Sequence, residues 1–355
     1  MPVRHSKKFI LLTTTLLAGL TGAAALPGVA LAAAAPTVTT LPFSDPFDVV
    51  STGDRVFVSG GRESSQIAVT DAAGTITGTI DGLEGPTKLQ LSNDRKTLYV
   101  TLRTAGEIAA FDTGSLLRSA TYDIGDGTCP SSLAFTGRYV WFGYGCGGWE
   151  GNIGRIDLGR QPAVITKGLA DTSFYTPPLL ASALRNTKVL LAGDEGQSPS
   201  GHIAYAIGAG GALTRISATT SENSGGNGQD LALDPTGVTA FSANGAPYQV
   251  RSFPVADMSR TATLYDTGAY PSAVDISRDG TRVAGGIFAW YDPDVYVFNP
   301  DGTLITRFEL GGTDHTLVPG ALSWSSNGRR LYAVSNDGYL HTTPAQLHVL
   351  PVPSA

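Results

Sequence analysis

Beyond residue 36, apolar and polar positions alternate in short runs at the two-residue period of a β-strand, and Gly, Pro, Asn and Asp cut the runs at close intervals. Residues 86–122 show the unit most clearly. Leu89 and Leu91 alternate with polar neighbours, Asn93-Asp94-Arg95 signals a turn, and Leu98-Tyr99-Val100-Thr101 makes a second β-rich run. Residues 108–111 form a third run, Asp112-Thr113-Gly114-Ser115 a second turn, and residues 116–122 a fourth run. The pattern predicts four short antiparallel strands in about 40 residues, joined as a meander.

The unit recurs. Pro271-Ser272-Ala273-Val274-Asp275-Ile276-Ser277-Arg278-Asp279-Gly280 repeats its opening, and Pro319-Gly320-Ala321-Leu322-Ser323-Trp324-Ser325-Ser326-Asn327-Gly328 repeats it again. Weaker copies begin near Pro46, Pro130, Pro178 and Gln229. Openings roughly 40–50 residues apart are the period of propeller blades. Length alone, 355 residues, would fit two domains. The periodicity favours one closed array instead, so the expected fold is an all-β, seven-bladed β-propeller over residues 37–355. The last repeat has runs at 322–324, 331–335 and 346–350 and no fourth. An unpaired sheet edge is a liability, and a β-type run at residues 37–41 stands before the first repeat. We expect that run to supply the missing strand, the closure common in propeller rings.

The first residues read differently. Arg4, His5, Lys7 and Lys8 precede an apolar stretch over 9–20, and Ala30-Leu31-Ala32 is an A-x-A cleavage signal. Residues 1–32 are therefore expected to be a secretory signal peptide, with 33–36 a linker. The apolar run is too short for a membrane span, so the product is expected to be released and extracellular, without membrane insertion. A formal net charge of −6 argues against a nucleic-acid partner. Cys129 and Cys146 are the only cysteines. The third repeat's first two runs fold about Gly137, and a hairpin centred there sets positions 129 and 146 opposite each other at its open end. Two thiols without a nearby His or third Cys do not make a metal site. A structural disulfide is expected, and no metal.

With these residues in view, the chain resembles the secreted bacterial seven-bladed propellers of the YVTN-repeat (WD40-like) type. Leu98-Tyr99-Val100-Thr101, the proline-led openings and Leu331-Tyr332 carry the resemblance, which covers essentially the whole chain after the leader. Leu102 stands where the family signature has Asn. The resemblance implies an exported protein that binds rather than catalyses.

In a four-stranded blade, the loops joining strands two and three, and strand four to the next blade, open on one face. The segments 143–151, 193–201, 243–248, 286–294, 336–345, 167–177, 218–228 and 309–318 are expected to be long loops on that face. Long loops on a rigid scaffold concentrate recognition residues. Two clusters there pair an aromatic with a carboxylate: Trp149 with Glu150, and Trp290, Tyr291 with Asp292. Such pairs suit sugar rings, peptides or cyclic small molecules by stacking and polar anchoring; packing of the rings between blades is the competing role. Asp292-Pro293-Asp294 with Asn299 and Asp301 lacks EF-hand spacing, and Asn299-Pro300-Asp301-Gly302 reads as a solvated hairpin turn rather than as part of a calcium loop. Asp48, Lys88, Ser132, Asp230 and Ser272 open the innermost runs and should ring the channel mouth, where they would order water or, as the alternative, hold a metal or substrate. No G-x-S-x-G elbow, haem-attachment motif or nucleotide loop is present. The expected function is a non-enzymatic binding propeller without cofactor, recognising a protein, carbohydrate or small molecule on its long-loop face. The alternative is a propeller hydrolase or lyase of the lactonase or streptogramin-lyase kind acting at the channel mouth.

Overall fold

The structure, a computed structural model, describes residues 35–260 and 263–353, so the expected leader over residues 1–32 lies outside the described residues. Seven four-stranded antiparallel sheets make up the chain after it. Six of them take four consecutive strands each. The innermost strands of these six are Val49–Ser51, Pro86–Leu91, Ser132–Thr136, Leu179–Ser182, Gly226–Leu233 and Pro271–Ile276. The seventh begins with Thr316–Trp324 and ends with Gln346–Pro351, against which the strand Thr37–Thr40 pairs as the outer edge. The expected closure is present. Thr37 faces Val349 and Thr40 faces Gln346, and Leu41 N–H donates to the Ala345 carbonyl at 2.8 Å. Among the described residues a single 3₁₀ turn, Ala209–Gly211, interrupts the β structure.

Alternation puts apolar side chains on both faces of each sheet, so each blade packs against two neighbours. The core is accordingly divided into seven clusters, one for each blade-to-blade contact. An open array of seven sheets would have six. The cluster of Leu41, Val49, Val58, Val318, Tyr332 and Leu347 joins the last blade to the first and shows the ring to be closed. Polar ties reinforce the contacts. Arg330 Nη1 and Tyr332 Oη of the last blade both donate to the Ala72 carbonyl of the first, at 2.8 and 3.1 Å.

Cys129 and Cys146 form a disulfide across the open end of the third blade's first hairpin, where Ser132 pairs with Gly143 and Thr136 with Tyr139. It anchors the Gly-rich loop that follows. Three loop expectations change. Residues 243–248 are mostly strand: Thr239–Ala246 and Gln249–Pro254 leave only Pro247 and Tyr248 between them. The innermost strands of the fifth and seventh blades reach back to Gly226 and Thr316, into segments read as loop. In both, β-bulges let the chain keep pairing without the alternation that marks a regular strand.

Candidate functional site

A cavity of about 1260 Å³ runs along the propeller axis, walled by the innermost strands and roofed by the long loops. Its charged side chains fall into three levels. Asp48, Lys88 and Asp230 share one repeat position, the residue just before the first buried aliphatic of each innermost strand, so they form one ring. Lys88 Nζ lies 3.2 Å from Asp48 Oδ1, and Leu89 N–H donates to Asp48 Oδ2 at 2.8 Å. Asp230 and Asp275 repeat the device on other blades. Asp230 Oδ2 accepts from Val274 N–H at 2.9 Å, and Asp275 Oδ2 from Trp324 N–H at 3.1 Å. Each carboxylate therefore stitches one innermost strand to the next. Ser132 Oγ does the same by donating to the Pro178 carbonyl. Ser272 is buried, and its hydroxyl has no hydrogen-bond partner.

Burial works against the Lys88 ammonium, but Asp48, Asp230 and Asp275 outweigh it and hold its pKa above the usual lysine value. Burial raises the Asp48 carboxyl, with Lys88 and the backbone donors opposing. It pushes Asp230 and Asp275 up to about 7. All five residues expected at the channel line the cavity, and Asp275 joins them unforeseen. Its signal was available: Gln90, Asp275 and Ser323 all sit between the two apolar residues of their openings, and all three line the cavity.

Above this ring, at the long-loop mouth, stand Arg62, Arg103 and Glu195, each just past the second strand of its blade. Burial raises the Glu195 carboxyl despite Arg103, Arg62 and Lys88. At the opposite mouth, among the tight turns, Arg95 and Arg278 line the cavity.

The two aromatic clusters part company. Trp290, Tyr291 and Asp292 line the long-loop mouth, together with Tyr270, Phe288 and Tyr339. Phe288 and Tyr339 pack at a tilt, 5.0 Å between centroids, and Trp290 packs on Gly338, where an added Cβ would collide with its ring. Tyr291 and Tyr339 remain 89% and 83% exposed. Tyr248 meets Tyr270 edge-on at 5.2 Å and extends the arc. Trp149 and Glu150 are exposed but do not line the cavity; Trp149 sits edge-on to Tyr175 at 5.5 Å, on the disulfide-anchored loop. Lone tyrosines in polar loops carry no pattern, which is why Tyr270 and Tyr339 escaped the sequence reading.

The expected hairpin turn is present at residues 299–302, where Gly302 N–H donates to the Asn299 carbonyl at 3.0 Å; Asp294 lies outside it. That residue is buried, its Oδ2 accepts from Leu310 N–H at 2.7 Å, and burial with Glu309 nearby pushes it up to about 7. These raised carboxyls set a pH dependence. An aspartate with a folded pKa near 7 and an unfolded pKa near 4 keeps its proton in the native state, so stability falls as pH rises between those values. Buried His202 and His348, held down to about 4, oppose this as the unfolded chain begins to protonate them towards pH 6.5. Between pH 8 and 6.5 the three carboxyls outweigh the two histidines. The net gain on acidification through this window is expected to be about 1.5 kcal/mol, a Tm rise of about 3 °C. Scanning calorimetry at both pH values tests it, and Asp275→Asn should flatten the slope.

No protein-family model and no curated protein matches the chain. Its fold matches solved structures. One is a chain of the hydrazine synthase of Kuenenia stuttgartiensis, with TM-score 0.61 and 15% identity over 86% of this chain and 96% of that one. Another belongs to a mitotic checkpoint complex, with TM-score 0.70 and 14% identity over 97% and 100%. At these identities the likeness establishes the seven-bladed fold alone.

Proposed function

We propose that the chain is an exported, non-enzymatic binding propeller of the secreted bacterial YVTN-repeat kind, taking a carbohydrate or similar polar ring ligand at the long-loop mouth of its channel. The observation that carries the reading is the pair Tyr291 and Tyr339, held out almost fully exposed over the mouth while Trp290 and Phe288 are packed beneath them. Exposed rings over a polar cavity offer stacking surfaces, and Asp292, Arg62, Arg103 and Glu195 offer hydrogen bonds to hydroxyls. The Cys129–Cys146 disulfide supports export, since such bonds persist in oxidising compartments.

A panel of oligosaccharides and peptides, read by Trp fluorescence and calorimetry, tests the site. Tyr291→Ala and Tyr339→Ala are each expected to weaken the best binder about tenfold or more, the loss typical of an aromatic anchor. Trp149→Ala, outside the cavity, should leave it within about twofold. Binding that follows Trp149 and ignores Tyr291 and Tyr339 would move the site to the third blade.

One observation favours the hydrolase or lyase reading: Asp230 and Asp275 face the cavity with carboxyls near 7, a range suited to general acid work. Turnover of lactones or cyclic depsipeptides, abolished in Asp230→Asn, would establish it.

A further inference from the structure

The tight-turn mouth, on the opposite face, has its own chemistry. Arg95, Arg185 and Arg278 come from the turns between the first and second strands of blades two, four and six. All three stand on the tight-turn face. Arg95 and Arg278 line the cavity end. Arg185 crosses the turn of blade five, where Pro235 O accepts its backbone N–H at 2.7 Å, and its Nη2 reaches the Arg278 carbonyl at 3.0 Å. Arg95 Nη1 donates to the Thr52 carbonyl at 2.7 Å. The guanidinium groups of Arg95 and Arg185 are thus positioned by neutral carbonyls. None of the three arginines makes an ion pair among the described residues.

Carboxylates are close at hand, yet they are committed elsewhere. Asp94 Oδ1 is taken by Ser92 Oγ at 2.6 Å and Lys96 N–H at 3.1 Å. Asp279 Oδ1 is taken by Ser277 Oγ at 2.6 Å and Thr281 N–H at 3.0 Å. Burial, joined by the neighbouring Arg278, depresses the Arg95 guanidinium to about 10 against the opposing pull of Asp275. The wider face agrees: the tight-turn connections hold more Arg and Lys than Asp and Glu, and the long loops the reverse.

Arg95 adds an independent sign. It occupies φ 61°, in the left-handed region, whereas the matching turns place Gly237, Gly280 and Gly328 there at φ 73°, 81° and 66°. A side chain at such a position costs about 1–2 kcal/mol. Blade two bears this cost to set a guanidinium at the mouth.

The geometry points to an oxyanion site formed by Arg95, Arg185 and Arg278 at the tight-turn mouth, fitted to a compact polyvalent anion of the phosphate class. Guanidinium forks bind tetrahedral oxyanions bidentately, and three from different blades suit more than one charge. Inorganic phosphate, pyrophosphate and sulfate are titrated calorimetrically into the native protein in chloride buffer. Pyrophosphate is expected to bind most tightly. Arg95→Gly, whose backbone already has the conformation of its glycine counterparts, should fold with an unchanged or higher Tm and weaken pyrophosphate at least about tenfold, as should Arg278→Gln. Lys96→Gln, an exposed cation of the same turn, should change affinity less than about twofold. No heat from any of the three anions, or equal losses in the Lys96 and Arg95 variants, overturns the site.

Discussion

Lys88→Met is expected to destabilise the fold by about 2–3 kcal/mol and lower Tm by about 5 °C. The side chain is the cation against which Asp48, Asp230 and Asp275 are set. Removing it leaves the buried Asp48 carboxylate with only backbone donors. A fully buried pair would lose about 3–5 kcal/mol; the 23% exposure left to the Lys88 side chain places this one lower. Two further results follow. Asp48→Asn added to Lys88→Met should recover part of the loss, because it removes the stranded charge. The defect should also shrink at pH 6, where Asp230 and Asp275 take up protons. Urea denaturation of the four members of the double-mutant cycle measures both. A cycle with no coupling would mean that solvent, and not Lys88, balances the axial carboxylates.

Removal of residues 35–41 should have the second large effect, a loss of about 4–5 kcal/mol and a Tm lower by about 10 °C. Leu41 leaves the cluster joining the last blade to the first, and the ladder from Thr37 to Thr40 goes with it. The strand thereby bared, Gln346–Pro351, is mostly apolar and would recruit other chains. A synthetic peptide of residues 35–43 should restore Tm in trans and suppress aggregation. A truncated protein that melts like the intact one, monomeric in solution, refutes the role of this strand in closure.

What the chain disclosed before folding was local. Each blade is built from contacts within about 40 residues, so turn signals such as Ser277-Arg278-Asp279-Gly280 and the alternation around Leu89 and Leu91 were enough to find it. The same holds for the disulfide, whose cysteines share one hairpin, and for the closing strand, inferred from a blade short of one run. The levels of the channel were harder. Asp48 and Lys88 could be named from their repeat position, but their pairing joins different blades and has no signature in either. Arg95 and Arg278 reach the same cavity end only because turns of different blades converge on one axis. Nothing in the sequence distinguished Trp149 from Trp290; distance from the axis does, and that depends on how far each loop folds back over the ring.

The pairing of Thr37 with Val349 also orders events in time. Blades one to six are each complete once their own stretch has left the ribosome. The seventh is not: its outer edge is among the first segments made and its partner among the last. A nascent chain halted short of residue 346 is therefore an open horseshoe whose two ends cannot meet, and ring closure becomes one late step that bridges most of the polypeptide.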